Sequence, residues 1–354
     1  MRILIAPNAF KNSLDASTAA DAIRRGLARS GFMGECFPIG DGGDGTGELL
    51  TRRLGGVPIP CRVHDPLGRE ITAHFGWVAG TRTAVVEMAA ASGLRLLKPE
   101  ERDAIRADSY GTGELIRAAL EQGAEDLLLC VGGSATVDGG AGILKALGPS
   151  GMKGRRLTIL CDVETSLGAA ARIFGPQKGA TPADVEVLEE RLARLADLAY
   201  QQTGKRIADI PYGGAAGGTA AGLYAFLGAA LVGGTDHFLR LTGFEERLAD
   251  ADLVITGEGS LDEQTLDGKA PYGVALRAQQ RNIPVIGLAG KVPPVASERL
   301  RKYFSVLMAI GHEPSDLADA LSRTKEDLER VGEEIGRLLA LGGRMALPGS
   351  PTAP

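Results

Sequence analysis

The two ends of the chain share one pattern, in which short apolar runs alternate with amphipathic segments. Apolar positions at helical spacing predict helices over 16–30, 46–54, 271–281, 296–302 and 315–341. The apolar runs between them predict strands at 2–7, 35–39, 252–256, 284–288 and 304–309. About five strands that alternate with helices predict a parallel sheet covered by helices on both faces.

The middle of the chain has a different pattern. Period-two alternation predicts an antiparallel meander with strands at 57–63, 71–77 and 83–88. Further along, the pattern predicts helices at 113–122, up to about 147, and 182–202, and strands at 126–131 and 157–161. Thr181 and Pro182 are typical of the N-cap and first position of the last of these helices.

This change of pattern predicts two domains. Residues 57–235 would form an inserted α/β domain with a mixed sheet. Residues 1–56 and 236–345 would form one discontinuous α/β domain, with the ligand cleft between the two. The tail 346–354, rich in Gly, Pro and Ser, is predicted to be disordered.

Composition narrows the function class. The chain has 354 residues, is 44% hydrophobic and carries a net charge of −5. It contains no basic run suited to nucleic acid or to an anionic membrane, so we expect a small-molecule partner. The apolar start is too short for a signal peptide, which predicts a soluble, cytoplasmic protein. The cysteines are far apart and predict buried thiols without zinc or disulfides: Cys36, Cys61, Cys130 and Cys161.

The segment from Phe37 to Thr46 is the most distinctive stretch. It places Asp41 and Asp44 in a loop made almost entirely of glycine, between a predicted strand and a predicted helix. Such a loop can bind phosphate with Mg²⁺, or a polar substrate, through backbone N–H groups at the helix start. It can also be a structural glycine turn. Residues 40–45 satisfy G-x-G-x-x-G, which leaves NAD binding as a third interpretation, although two aspartates would repel a bare pyrophosphate.

Two further glycine-rich loops carry polar side chains. The loop 132–142 offers Ser134, Thr136 and Asp138, either to phosphate or as the caps of an ordinary turn between a strand and a helix. The segment 256–269 follows a predicted sheet strand. Its Glu258, Asp262 and Lys269 would hold a metal ion and a phosphate, unless the segment is only a solvated loop.

Lys178 lies between glycine turns in 174–180 and is either a functional cation or an exposed lysine. The four histidines are scattered, and the chain has neither G-x-x-x-x-G-K-[ST] nor H-E-x-x-H nor G-x-S-x-G. Aspartates, lysines, hydroxyls and glycine loops without a histidine base suit phosphoryl transfer, in which positioning and charge neutralisation do most of the work.

Several motifs together resemble those of the bacterial type-1 glycerate kinase family. They are APNAFKNSL (6–14), GDGGDGT (40–46), EMAAASG (87–93), GGSATVDGGAG (132–142), FGPQKGA (174–180) and TGEGSLDEQTLDGK (256–269). The resemblance runs from Arg2 to about Leu341. It implies a flavodoxin-like domain split by a second α/β domain, and ATP- and Mg²⁺-dependent phosphorylation of glycerate to 2-phosphoglycerate.

The charges expected in the ligand cleft suggest roles for particular residues. Asp41, Asp44 and Asp262 would contact Mg²⁺ or the substrate hydroxyl, with Asp44 and Asp262 as the metal ligands. Lys11, Lys178 and Lys269 would neutralise the carboxylate and the transferring phosphoryl group. The base is Asp41 or Asp162, with Asp41 ranked first. The remaining binding positions are Gly45, Thr46, Gly133, Ser134, Thr136, Asp138, Gly257, Glu258, Gly259 and Gln264.

The chain departs from the family pattern at a few positions. Asn8-Ala9 stands where Asp-Ser is usual, Ser260 where Arg is usual and Glu164-Thr165 where Asn-Pro is common, and the segment 148–156 is shorter. Two alternatives to a kinase stay open: an NAD(P)-dependent oxidoreductase, which the pattern at 40–45 suggests, and a ligand-binding homologue whose activity is reduced by the departures at Asn8 and Ser260. The sequence leaves homo-oligomer formation open.

Overall fold

The computed structural model describes residues 1–148 and 151–345, so the predicted disordered tail lies outside the described residues. The strands are β1 Ile3–Ile5, β2 Gly34–Cys36, β3 Val57–His64, β4 Glu70–Val78, β5 Thr83–Glu87, β6 Asp126–Cys130, β7 Arg156–Cys161, β8 Ala230–Gly233, β9 Leu253–Ser260, β10 Val285–Lys291 and β11 Val306–Ala309. The helices are α1 Ala16–Arg29, α2 Thr46–Arg53, α3 Ala89–Ser92, α4 Tyr110–Glu121, α5 Ala141–Leu147, α6 Ala170–Phe174, α7 Pro182–Thr203, α8 Thr219–Leu227, α9 Gly234–Leu241, α10 Phe244–Leu248, α11 Ala270–Gln280, α12 Glu298–Tyr303, α13 Leu317–Ser322 and α14 Thr324–Met345.

The chain divides into two units. The first unit is Met1–Ile39 with Gly243–Pro354, and the second unit is Gly40–Thr242. These limits differ from the predicted ones at 56/57 and 235/236. Helix α2 groups with the second unit because it packs against β3, β4 and β5. The alternation of strands and helices predicted α2 correctly but could not say which sheet it covers.

The sheet of the first unit has the order β11-β10-β9-β1-β2, and all its strand pairs are parallel. Ile3 pairs with Leu253, as expected if the two ends of the chain share one sheet. In chain order this is 2-1-3-4-5, the flavodoxin-like arrangement, whose topological switch point falls between β1 and β9. The predicted parallel α/β fold is confirmed.

Helices α1 and α14 pack on each other and on this sheet. Ile23 and Leu27 are fully buried in a cluster with Leu328 and Val331. The predicted single helix over 315–341 is wrong, because the structure has two helices, α13 and α14, separated at Arg323. The Thr324 hydroxyl bonds the carbonyls of Ala320 and Leu321 and so competes with helix continuation.

The sheet of the second unit has the order β3-β4-β5-β6-β7-β8. Strands β3 to β5 are antiparallel neighbours, and β5 to β8 are parallel, which confirms the mixed sheet. Strand β8 and helix α8 were not predicted; helix α8 begins within a stretch rich in glycine, a residue that disfavours helix interiors. The carboxyl ends of β5 to β8 meet at one edge of this sheet, where open α/β folds bind ligands.

No helix within 1–148 and 151–345 is both long enough and apolar enough to cross a bilayer. All four cysteines are free thiols; Cys130 and Cys161 are buried, as predicted, whereas Cys36 and Cys61 are only partly buried, so the prediction of burial is wrong for these two. Burial raises the pKa of the Cys130 thiol well above its usual value, so this thiol stays protonated and unreactive.

Candidate active site

Three segments meet at the carboxyl edge of the second unit's sheet. The aspartate loop, Gly40 to Thr46, joins the loop after β6 through a hydrogen bond from Gly132 N–H to Gly42 O (2.9 Å). Asp162 follows β7, and a methyl group added to Gly132 would lie 2.9 Å from its Oδ2 atom. The fold therefore gathers Asp41, Asp44 and Asp162 around the loop 132–142, although they are far apart in sequence.

The N–H groups of the aspartate loop have acceptors within the second unit. Gly42 N–H donates to Thr46 Oγ1 (3.1 Å) and Gly43 N–H to Asp41 Oδ1 (2.8 Å). Gly45 and Gly47 N–H donate to the two oxygens of Glu87 (3.0 Å each). The start of α2 thus holds a carboxylate of this chain, where the phosphate-cradle and NAD interpretations would place a phosphate. What the loop presents is its aspartate side chains.

Glu87 and Arg95 surround Asp44. Arg95 Nη1 lies 3.0 Å from Asp44 Oδ1, and Nη2 lies 3.7 Å from Glu87 Oε1. Burial, and next a hydrogen bond with Asp44, raise the pKa of Glu87 to about 7. Asp44 itself is 44% exposed. Its carboxylate is therefore held in place and still open to a ligand.

Lys178 is buried, with only 3% of its surface exposed, so the exposed-lysine interpretation is wrong. Its Nζ atom donates to Ser134 Oγ (2.8 Å) and to Thr136 O (2.8 Å), which ties the loop 132–142 to the turn 174–180. Burial lowers the pKa of Lys178 to about 8, and the charges of Asp138 and Asp162 partly oppose this shift. A buried cation thus lies beside the carboxylates of the sheet edge.

This shift predicts a pH dependence of stability. The unfolded-state pKa is near 10.5 and the folded-state pKa is about 8. Below pH 8 Lys178 is protonated in both the folded and the unfolded state, and the free-energy cost of burying its charge is fully present. Between pH 8 and 10.5 Lys178 is protonated only in the unfolded state, so this cost is lost. Relative to Lys178→Met, the unmodified protein should gain on the order of 3 kcal/mol of unfolding free energy between pH 7.5 and 10.5. Urea unfolding of both proteins across this pH range measures the gain. A difference in unfolding free energy between the two proteins that stays constant with pH would contradict the prediction.

The remaining polar groups of the loop 132–142 differ in their roles. Asp138 Oδ2 accepts hydrogen bonds from Ser109 Oγ (2.6 Å) and Gly142 N–H (3.1 Å), as expected for the cap interpretation. Thr136 Oγ1 is buried and has no hydrogen-bond partner among the residues that the structure describes. Of the candidate side chains in this loop, that of Ser134 accepts a hydrogen bond from Lys178, whereas Thr136 accepts one through its backbone carbonyl.

The first unit has its own cluster of candidates, at the switch point between β1 and β9. Glu258 lies near the end of β9, where Lys269 Nζ is 3.6 Å from its Oε1 atom and Thr265 Oγ1 is 3.5 Å away. Lys11 and Gln264 are exposed. Gly259 leaves open space, since an added methyl group would come no closer than 3.6 Å to Lys11 N. This edge can accept a charged or polar ligand.

Two predicted binding positions of the first unit have local structural roles. Asp262 Oδ1 accepts from Gln264 N–H (3.0 Å) and Oδ2 from Ser260 Oγ (3.3 Å), so this carboxylate caps the short 3₁₀ turn that follows. A methyl group on Gly257 would meet Leu288 O at 2.2 Å. Gly257 is therefore required for the pairing of β9 with β10.

Glu87 and Arg95 are the residues that sequence reasoning did not select. Both also line a pocket of about 720 Å³ beside α2, β3 and β4, together with Pro58, Pro60 and His74 among others. The signal for Glu87 was present, because a single carboxylate interrupts the apolar run from Ala84 to Ala91. Nothing in the pattern indicated that this carboxylate bonds the aspartate loop 40 residues earlier.

A metal site is not complete in the chain itself. Within the described ranges, no group of three or more His, Cys, Asp or Glu side chains could hold a metal ion. Mg²⁺ is commonly bound by one or two carboxylates together with water and substrate phosphates. The carboxylate of Asp44, whose side chain is 44% exposed, suits that kind of site, and the carboxylate of Asp262, which already accepts from Gln264 N–H and Ser260 Oγ, suits it less.

Comparison with known proteins agrees with this architecture. The family model described as "Glycerate kinase family" matches residues 3–155 and 149–340. A Bacillus subtilis (strain 168) glycerate kinase is 40% identical, and an Escherichia coli (strain K12) glycerate 2-kinase is 38% identical; each comparison covers 98% of this chain and 100% of the relative. A crystal structure from Salmonella typhimurium LT2 with the provisional name glycerate kinase 2 has a TM-score of 0.79 at 37% identity, over 98% of this chain and 100% of that one. This chain belongs to the glycerate kinase family.

Proposed function

We propose that this protein transfers the terminal phosphoryl group of ATP to a hydroxyl of glycerate, giving 2-phosphoglycerate. Family membership over nearly the whole chain supports the reaction, and the named activity of the Escherichia coli relative supports the 2-position. The observation that carries the proposal is the assembly of Asp41, Asp44, Asp162 and the buried Lys178 around one loop of the second unit.

Each of these groups has a proposed role. Asp41 accepts the proton of the attacking hydroxyl, with Asp162 as the second candidate, since phosphoryl transfer needs an acceptor within hydrogen-bond reach rather than a strong base. Lys178 and Ser134 would stabilise charge on the transferring phosphoryl group; the Lys178 Nζ and Ser134 Oγ atoms are 2.8 Å apart. In the first unit, Lys11 and Lys269 would bind anionic groups of a ligand, with Glu258 orienting Lys269.

Mg²⁺ is proposed as the cofactor, with Asp44 as its protein ligand. When bound, the ion neutralises the phosphates of ATP. Arg95 would keep the Asp44 carboxylate in one position before the ion arrives.

The oxidoreductase alternative has no support in the contacts or in the relatives, because the first-turn N–H groups that would hold a pyrophosphate already donate to Glu87.

One screen separates the possibilities. The purified chain is incubated with a panel of hydroxy acids, and either ATP-Mg²⁺ or NAD(P). We expect phosphorylated glycerate with ATP only. Turnover only with NAD(P) would contradict the proposal, and thermal stabilisation by glycerate and ATP without turnover would indicate a binding protein.

A further inference from the structure

Glu87 accepts hydrogen bonds from the backbone at the start of α2. It ends β5 at the carboxyl edge of the sheet and is 9% exposed. Each of its two oxygens accepts one backbone N–H, from Gly45 and from Gly47. These two residues flank Thr46, so one carboxylate fastens both sides of the first turn of α2 and satisfies N–H groups that a helix start leaves without intrahelical partners.

The same carboxylate fixes Asp44. Asp44 directly precedes Gly45, which Glu87 holds through its backbone N–H, and Arg95 pairs with the side chains of both Asp44 (3.0 Å) and Glu87 (3.7 Å). The backbone and the side chain of Asp44 are therefore positioned through Glu87 from two directions.

The surrounding glycines leave room for this arrangement. A methyl group on Gly47 would lie 3.0 Å from Glu87 Oε2, and one on Gly133 would lie 3.3 Å from Asp44 Cβ. Gly133 has a φ of +73°, which L residues rarely adopt. The site is thus built closely around the two carboxylates.

We infer that Glu87 is a positioning residue for phosphoryl transfer, which acts by holding Asp44 and the start of α2 in place. The inference rests on the proposed function. The N–H groups at the N-terminus of α2 then bind the Glu87 carboxylate rather than a ligand. Asp44 is the side chain of the loop that remains for ligand binding. Because catalysis depends steeply on placement, a loosened Asp44 should reduce the rate even though Glu87 itself need not contact the substrate.

The test is a double-mutant cycle on Glu87→Gln and Asp44→Asn, measured as kcat/KM for ATP and for glycerate. Glutamine keeps the size of glutamate but turns an N–H₂ group towards one of the two N–H donors, so one donor loses its acceptor. We expect each single variant to lose about tenfold or more, and the double variant to lose no more than the worse single one. Glu48→Gln is the matched control, because Glu48 is on the same helix, is 67% exposed and pairs only with Arg52 among the described residues.

Two results would overturn the inference. The first is a double variant whose loss equals the product of the single losses, which would mean that Glu87 acts independently of Asp44. The second is Glu87→Gln activity within about threefold of the unmodified enzyme.

Hydrogen exchange of the peptide covering 43–50 gives a readout that does not depend on activity. It should be faster in Glu87→Gln and unchanged in Glu48→Gln. Unchanged exchange in Glu87→Gln would overturn the inference even if kcat/KM fell. If the unmodified chain does not phosphorylate glycerate, the proposed function fails, and the exchange experiment still decides whether Glu87 holds the loop.

Discussion

Replacing Lys178 with methionine is expected to lower kcat by about 100-fold or more, the loss typical of removing one group that stabilises transition-state charge. Lys178 is the buried cation of the second unit's sheet edge, and its Nζ atom holds both Ser134 Oγ and Thr136 O. Methionine fills a similar volume without the charge. The loop 132–142 would therefore lose the hydrogen-bond donor that Lys178 provides. The transferring phosphoryl group would lose the positive charge that neutralises it.

Lys205 offers a matched control. Its Nζ atom also donates to a backbone carbonyl, Tyr224 O at 2.7 Å, and it lies in the same unit. Lys205→Met should leave kcat within about threefold of the unmodified enzyme, since within the described part of the chain the Lys205 ammonium contacts Tyr224 and none of the candidate residues. Steady-state rates at saturating ATP and glycerate, with melting temperatures for both variants, measure the difference. If Lys178→Met loses less than about threefold while remaining folded, Lys178 does not belong to the active site.

Periodicity predicted most of the fold because strands and helices bury residues at fixed intervals. The alternation that marks β3 and β4, and the cap formed by Thr181 at the start of α7, are local features and were predicted correctly. The predicted domain limits, at 56/57 and 235/236, differ from those of the two units of the structure. The apolar face of α2 is the same whichever sheet it covers, so its packing on β3 to β5 follows from tertiary structure alone.

The candidate site was predicted only in part, for a similar reason. The aspartates and Lys178 stand in glycine-rich loops, which mark them in the sequence. The burial of Lys178 depends on Ser134 and Thr136, more than 40 residues away, and a lone lysine gives no sign of this. Likewise, Glu87 bonds Gly45 and Gly47 across about 40 residues. Side chains that act through distant backbone groups leave no spacing to recognise.

The structure also changes what the glycine loop means. The pattern 40–45 suggested that backbone N–H groups bind a ligand, yet those of Gly42, Gly43 and Gly45 donate to side chains of the loop itself or to Glu87. The glycines allow close internal packing, and the charged groups offered outward are carboxylates. A kinase site built on carboxylates needs a cation to bind ATP, a role that Mg²⁺ held by Asp44 would fill.

Replacing Asp41 with asparagine should have the largest effect, a fall in kcat of about 10² to 10⁴ with the KM for glycerate changed by less than about threefold. Asparagine keeps the Oδ1 atom that accepts Gly43 N–H at 2.8 Å, so the loop should retain its shape. What it removes is the ability to take the proton of the attacking hydroxyl. Asp162→Asn, made in parallel, should lose less than Asp41→Asn if Asp41 is the base.

Single-turnover measurements at saturating ATP and glycerate distinguish the chemical step from binding. A base variant is slow in the first turnover because the proton acceptor is missing at the moment of transfer. If Asp41→Asn instead weakens ATP binding and leaves the single-turnover rate normal, Asp41 contacts the nucleotide or the metal. The base would then be Asp162, which follows β7 beside Gly132 at the same edge of the sheet.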